Sequence, residues 1–571
     1  LRSWLSNNPL LHPLFIPVLL VATILTVYYP AMLSGIHPID DPGILSFYTA
    51  SPLLSQILLP GNSYYYRPLV ELSFWLDNLL WGMEPRAMHL ESILLHSANS
   101  LLVFLLACKL TADTSKTRLI PLLAALLFAL HPLNVEAVAW IAGRTDPLLA
   151  LFVLSASYFW LRWLDAPCWL DMAATLILFG AALLTKETAL AFGAVIPLLA
   201  VARPGTATIR QRLTAVGGMA LTALLFVIIA LLLFRGYSGL NKFVNGTGLQ
   251  VGVGIKAALI AFGFYAKKLV FPFPLNFAIY EVSPVYGLAG VALIPYIWWG
   301  VCRHQLVGVL FISAAFFMLP AVLVAIKQVA WTPYAERYLY LPTAFCALGV
   351  SVSVSGGWNR QKNILLLAAL CMALIFAVVS FQRASLWADK LAFFQDAVAK
   401  SPKFGSVYYS LGGILLQSGK TAQAEAAFAV ADRLNQRDSM RYPIKAGIMG
   451  ILIAKGEYSK ARTCFFQIFS RKQSAPAYFL ELLYKADGKR IHHLTAGDKM
   501  LLAEDLLETL DLLQQKQPDP FWLYQSGKYA LLAEDKAKAV CFFRQAYTTA
   551  PPDAHYRGAA LTYLHKLEDS R

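Results

Sequence analysis

The chain has 571 residues, of which 58% are apolar and only 14% charged, against roughly 25% charged residues in soluble domains. A soluble protein of this size could not cover its surface with so few charges, so lipid must solvate much of it. The net charge of +15 is concentrated in short loops and the C-terminal third, which assigns it to topology signals and anionic head groups rather than to nucleic acid. The seven Cys lack the paired spacing of a zinc site or a disulfide framework.

In chain order, apolar runs of spanning length fall at 14–34, 88–110, 119–140, 146–164, 168–184, 187–202, 213–234, 285–301, 306–327, 336–355 and 363–382. That predicts about eleven helices near the ~20 residues a bilayer needs. The first run has no small-residue cleavage site after it and reads as a signal anchor. Basic residues set the orientation. Lys109, Lys116 and Arg118, then Arg203, Arg210 and Arg212, then Arg303 and His304, then Arg360 and Lys362 all fall on one side if the N-terminus is cytoplasmic. The loop 36–87, the turns 131–146 and 185–187, and the segments 235–284 and 328–335 then fall outside. The stretch 255–275, with Lys267, Lys268 and a Pro-Phe-Pro break, is expected as a helix at the outer interface. This defines a membrane domain over 1–383.

Residues 384–571 carry a different periodicity. A tetratricopeptide (TPR) repeat is about 34 residues long and alternates large and small residues where two helices meet. Counting from Gly405 puts Tyr408, Leu411, Gly412, Leu415, Ala424, Phe428 and Ala431 at those positions; counting from Pro520 puts Gly527, Ala539, Phe543, Ala546 and Pro551 there. A weaker copy from Tyr442 keeps Ala461 and Phe465, and Phe394, Ala397 and Pro402 resemble the second half of a repeat. Residues 474–519 read as helical but degenerate. Such copies stack into an α-solenoid with a concave face, which makes this segment a candidate peptide groove, or else a scaffold. The expected fold class is all-α: a polytopic membrane domain followed by a TPR solenoid.

Ionisable residues gathered at the outer mouth of a membrane domain are functional suspects. Asp40 and Asp41 follow the first span in HPIDDPG; one carboxylate could act as general base and the other as metal ligand or hydrogen-bond partner, while a helix N-cap is the bland alternative. Tyr64-Tyr65-Tyr66-Arg67 leads into Glu71, His89 and His96; the aromatics suit an interfacial belt, and Arg67 could pair with Asp40 or Asp41 or bind an anion. His131, Asn134, Glu136, Arg144 and Asp146 crowd one turn, with Lys186-Glu187 in another. Glu336-Arg337 opens the tenth run; Arg337 with Lys268 would form a cationic site suited to phosphate.

The blocks YYRPLVELSFWLDNLLWGMEPRAMHLESILLHSANSLLVFLL, HPLNVEAVAWIAGRTDPLLALF, LTKETALAF and AERYLYLP resemble the transmembrane-and-tetratricopeptide (TMTC) protein O-mannosyltransferases and their bacterial relatives. The order of blocks matches over the whole chain, although the animal proteins have many more repeats. The resemblance implies the GT-C glycosyltransferase class, whose members use polyprenyl-phosphate sugars outside the cytoplasm. It would place the catalytic carboxylate at Asp40 or Asp41 and make Arg337 a ligand of the lipid phosphate.

The residues independently suit that chemistry. The donor phosphate would be held by Arg337, Lys268, Arg67 or a divalent metal (Mg or Mn) with Asp40 as its ligand. A carboxylate would take the proton of the acceptor hydroxyl, with Asp41 preferred as base, Asp40 as partner and Glu136 in reserve. His131, Arg144, Asp146, Lys186, Glu187, Glu336, Tyr66 and His89 complete the candidate set. Expected partners are membrane lipid, the lipid-linked sugar and an exported protein acceptor, with no nucleic acid. The expected location is a bacterial inner membrane with the repeats periplasmic, or alternatively the endoplasmic reticulum. Rival readings are a transferase acting on a lipid-linked or envelope glycan, an oligosaccharyltransferase, and a membrane scaffold; a transporter would carry its charges near mid-membrane.

Overall fold

The computed structural model describes residues 15–59, 66–111, 118–203, 205–233, 251–303, 305–327, 330–356, 359–435 and 438–569. Tyr64, Tyr65, Lys116 and His304 lie outside them. The described residues are helical throughout, with one isolated β-bridge between Ile279 and Tyr334. The chain divides into two compact units, Leu1–Ser401 and Pro402–Arg571.

Six helices of the first unit are long and apolar enough to cross a membrane: Phe15–Leu33, Pro85–Leu110, Ile141–Asp165, Leu306–Ile326, Glu336–Ser355 and Asn363–Ala388. The pair Leu119–Ala129 and Pro132–Ala139 is apolar and long enough only when taken together, and it is bent by 46° at the break, the form of a broken span or a re-entrant loop. The bend has a local cause. Pro132 cannot donate a backbone hydrogen bond, and the His131 ring accepts from the Leu133 N–H (3.3 Å), so the chain restarts as a short 3-10 turn. The expected runs 168–184, 187–202 and 285–301 form shorter apolar helices, Trp169–Leu183, Glu187–Ala202 and Tyr286–Pro295. The run 213–234 is covered by the helix Ile209–Leu233.

The stretch around 255–275 is one 20-residue helix, Val251–Val270. It meets the helix Tyr286–Arg303 at closest approach: a Cβ on Gly263 would sit 1.9 Å from the Tyr286 carbonyl oxygen, and one on Gly290 2.3 Å from that of Leu259. Glycine is needed at both positions for the backbones to pack.

Charged loops gather at two separate places in this unit. Lys109 and Arg203 both pair with Asp165, at 2.7 and 3.0 Å, and Arg203 also donates to the Lys109 carbonyl. The loops after the second and sixth apolar runs therefore meet, as placing them on one side requires. The turns at 131–146, 185–187 and 336–337 meet each other instead.

The second unit is a series of paired helices: Gly405–Gln417 with Thr421–Arg433, Asp438–Ala454 with Tyr458–Ile468, Ala477–Arg490 with Ala496–Lys516, and Pro520–Leu532 with Lys536–Thr549, followed by Arg557–Glu568. Gly412 faces the Phe428 ring and Gly527 the Phe543 ring, each too close for a side chain without adjustment. Small residues thus oppose aromatic ones at the helix junctions. The helix Lys390–Lys400, with buried Phe394 and Ala397, belongs to the first unit.

Candidate functional site

The turn HPIDDPG starts a short helix, Asp41–Thr49, with Pro42 in its first turn. The two neighbouring carboxylates meet opposite fates. Asp41 is fully buried: Oδ2 accepts from the His37 N–H at 2.8 Å and Oδ1 from the Ala142 N–H at 3.1 Å. It ties the first outer loop to the turn before the helix Thr145–Asp165. Burial pushes its pKa up to about 7, against the pull of the two N–H donors. Asp40 is exposed; partial desolvation raises it, and the Arg337 charge nearby opposes the shift. The two carboxylates that the sequence offers as base are thus placed differently. Both Asp41 oxygens are engaged by backbone and neither reaches solvent, whereas the Asp40 side chain is accessible.

Arg337 lies at the centre of the site. It forms an ion pair with Glu136, a residue of a different apolar run, and its guanidinium covers the rings of Trp140 and Tyr338 at 5.0 and 4.9 Å. Glu136 is enclosed, and its second oxygen accepts from the backbone N–H groups of Glu336 (3.1 Å) and Arg337 (3.3 Å). A carboxylate so held clamps two spans together and is not available as a base, which removes Glu136 as the reserve candidate.

Two more pairs flank this one. Lys186 binds Asp146 at 2.6 Å, with its ammonium 5.4 Å from the centre of the Tyr338 ring. Burial lowers the Lys186 pKa while Asp146 raises it, and the charges of Arg67 and Arg337 lower it further. Arg67 pairs with Glu187 at 2.8 Å rather than with Asp40 or Asp41. Asp40, Arg67, Lys186 and Arg337 thus form one electrostatic neighbourhood, assembled from four stretches of sequence.

Other expected site residues are placed elsewhere or given structural work. Lys268 is buried and bound to Glu336 at 2.7 Å and to the Pro272 carbonyl at 3.0 Å, and Glu336 also accepts from the Asn276 N–H at 2.8 Å. Lys268 is therefore not an available phosphate ligand; it secures the Pro-Phe-Pro segment to the start of the Glu336–Ser355 helix. Arg144 is almost wholly buried against Asp77 (2.5 Å) and Glu91 (3.3 Å) and packs on Phe74. His131 is the local cap described above. His89 is hydrogen-bonded to Ser34 Oγ (2.9 Å) and the Gly35 carbonyl (3.0 Å). Tyr66 donates to the Leu58 carbonyl at 2.9 Å, and Tyr48 donates to Glu71.

The donor set does not fit the expected metal at Asp40. The adjacent carboxylate is engaged by two N–H groups, the charge felt by Asp40 is the Arg337 cation, and no group of three His, Cys, Asp or Glu among the described residues could hold an ion.

Three residues were not singled out by the sequence. Trp140 supports Arg337. His37, whose N–H holds Asp41, has its ring in a cage of Phe277, Trp387, Phe393 and Phe394 with both ring nitrogens unpartnered; burial lowers its pKa to about 3, so it stays neutral. Arg383 is buried near the end of the last span. The His-Pro step before the Asp40-Asp41 pair in HPIDDPG is the hint the sequence offers for His37, and a basic residue ending an apolar run is the one for Arg383.

Comparison with known proteins bears on the same region. Residues 67–232 match the family model "Dolichyl-phosphate-mannose-protein mannosyltransferase". Protein O-mannosyl-transferase TMTC3 of Homo sapiens is 36% identical over 125 residues, covering 21% of this chain and 13% of that protein. Tmtc1 of Drosophila melanogaster is 39% identical over 130 residues (23% and 15%), and TMTC1 of Mus musculus 43% over 103 residues (18% and 11%). The resemblance to the TMTC-type proteins stands, and the aligned segment spans well under a quarter of each relative's length. The family match includes Arg67, Glu136, Arg144, Asp146, Lys186 and Glu187, and leaves out Asp40, Asp41, Lys268 and Arg337.

Proposed function

We propose that this chain is a membrane glycosyltransferase that moves a hexose of the mannose type from a polyprenyl-phosphate carrier to Ser or Thr hydroxyls of an exported protein. The observation that carries the reading is the accessible Asp40 carboxylate beside Arg337, at the mouth of a bundle whose 67–232 segment matches protein mannosyltransferases. The site is proposed to face the periplasm of a bacterial inner membrane, or the lumen of the endoplasmic reticulum.

In this reading, Asp40 accepts the proton of the acceptor hydroxyl as its oxygen attacks the anomeric carbon. The bond from that carbon to the phosphate oxygen breaks, and the configuration inverts in a single displacement. The leaving phosphate gains negative charge, which the neighbouring Arg337, Lys186 and Arg67 stabilise. Their carboxylate partners hold these cations in place before substrate arrives, so little reorganisation is needed as the charge develops. Asp41 acts as a positioning residue: by fixing the backbone at His37 and Ala142 it sets where Asp40 points. No step is routed through a metal. The helical hairpins of 402–571 are proposed as a TPR solenoid whose groove recruits the acceptor chain.

The test is transfer by the purified full chain from defined polyprenyl-phosphate monosaccharides to Ser/Thr peptides, read by mass spectrometry. One hexose added to the peptide, and lost in Asp40→Asn, is the expected result. A product that forms equally well with Asp40→Asn excludes Asp40 as the base, and donor binding without any peptide product excludes the protein acceptor.

A further inference from the structure

A cavity of about 590 Å³ lies beside the last span, lined by Phe271, Phe273, Leu275, Val379, Leu386 and the cations Arg383 and Lys400, among others. Its walls are apolar, and the helix that forms one side is lipid-facing just below it: Ile375, Val378 and Phe381 are exposed. Phe271, on the opposite lip, is exposed as well. The cavity is therefore open to hydrocarbon and ends in positive charge.

Arg383 is the unusual member. Its side chain is only 4% exposed, Nη1 reaches Asp396 at 3.3 Å, and Nη2 stands 4.0 Å from Glu336. Nε and Nη2 make no hydrogen bond, although a buried guanidinium ordinarily satisfies its donors. The surrounding charges do not balance either. Lys400 shares Asp396 with Arg383 (2.6 Å), and Glu336 is already bound to Lys268. Three cations thus face two carboxylates, and Lys267, bonded to the Phe273 carbonyl, adds another positive charge nearby. An anionic group would offset one of the two excess positive charges.

We infer that the cavity binds an anionic bilayer phospholipid, with its phosphodiester on Arg383 and Lys400 and an acyl chain along Val379, Leu386, Phe271 and Phe273. Such a lipid is a fixed component and not the reacting one. Asp40, Arg67, Lys186 and Arg337 are all absent from the lining, so a head group held here is not presented to them. Glu336 has its carboxylate 4.0 Å from Arg383 and its backbone N–H on Glu136. The inference needs the chain to sit in a membrane and does not depend on which sugar or acceptor it uses.

The test is native mass spectrometry of the full chain, delipidated in detergent and titrated with phosphatidylglycerol, phosphatidylcholine or polyprenyl phosphate. Wild type should retain one phosphatidylglycerol in preference to phosphatidylcholine. Leu386→Trp, which fills the cavity and leaves every cation in place, should reduce that retention about fivefold or more, as should Arg383→Gln, on the scale of a single basic residue meeting an anionic lipid. Unchanged retention in Leu386→Trp overturns the proposal, even if Arg383→Gln fails to fold. Equal retention of phosphatidylcholine overturns it too, since the charge excess would then recognise nothing. Displacement of phosphatidylglycerol by polyprenyl phosphate, sensitive to Leu386→Trp, would reassign the cavity to the carrier and overturn the phospholipid assignment.

Discussion

Asp40 and Asp41 are adjacent in sequence and differ in almost every physical respect. Asp40 is exposed and its side chain makes no capping hydrogen bond to the helix that follows, so Asp40→Asn should leave the thermal midpoint nearly unchanged. Removal of a positioned base lowers turnover by ~10²–10⁴-fold, and that drop without unfolding is the expected outcome in the transfer assay. Asp41→Asn should behave in the opposite way. An amide offers one acceptor where the carboxylate offers two, leaving the N–H of His37 or Ala142 without a partner, at a cost of about 1–3 kcal/mol. The titration of Asp41 adds a second signature. Its folded acidity near 7 lies above the ordinary carboxylate value, because burial favours the neutral form. The associated stability is fully present at low pH and is lost as pH rises through about 7. Melting in detergent should thus fall more steeply between about pH 4 and pH 7 for wild type than for Asp41→Asn, and parallel slopes would show that Asp41 does not titrate there.

At the level of elements, ion pairs join helices that the sequence keeps far apart, and their burial decides what each contributes. Glu136 and Arg337 link the broken span to the Glu336–Ser355 helix, with Glu136 wholly enclosed. Glu136→Ala strands a largely buried guanidinium, and losing one partner of a buried pair costs about 3–5 kcal/mol. Glu187 is half exposed where it meets Arg67, and breaking such a pair costs about 0–1 kcal/mol. A large loss of thermal stability in Glu136→Ala beside a small one in Glu187→Ala is the outcome expected from unfolding scans of the two variants. The same contrast explains what could be read in advance. Apolar runs, the basic residues of the loops after the second and sixth of them, and the gathering of charge in the turns at 131–146 and 336–337 are local properties, visible as hydropathy and residue type. Which acid takes which base is a long-range property. Arg67 reaches Glu187 and Lys268 reaches Glu336 through packing that no spacing encodes, so Lys268 was expected to hold phosphate when it holds a neighbouring element. The different settings of Asp40 and Asp41 are hidden for a related reason: adjacent carboxylates on a turn look equivalent until the backbone N–H groups that engage one of them are in place.

The whole molecule joins a unit that needs lipid to one that does not. Leu1–Ser401 carries the six long apolar helices, and Pro402–Arg571 has its own apolar core, in which Phe465, Phe479, Leu480, Leu483, Leu506 and Leu513 are fully buried. A core of this kind is what an independently folding domain requires, so residues 402–571 expressed alone should be soluble and helical and should melt cooperatively. If the second unit recruits the acceptor, removing it costs binding and leaves the chemistry at Asp40 and Arg337 intact, because all the residues of the candidate site lie in the first unit. Loss of uniform binding raises KM without lowering kcat. A chain ending at Ser401 should therefore glycosylate a short Ser/Thr peptide at near the full-length kcat, while its KM for an intact protein acceptor rises about tenfold or more, the effect of losing ~1.4 kcal/mol of recruitment. Steady-state kinetics on the two acceptors decide the matter. A matched fall in kcat on both would mean that the helical hairpins support the membrane unit itself, and an unchanged KM for the protein acceptor would mean that they bind something other than substrate.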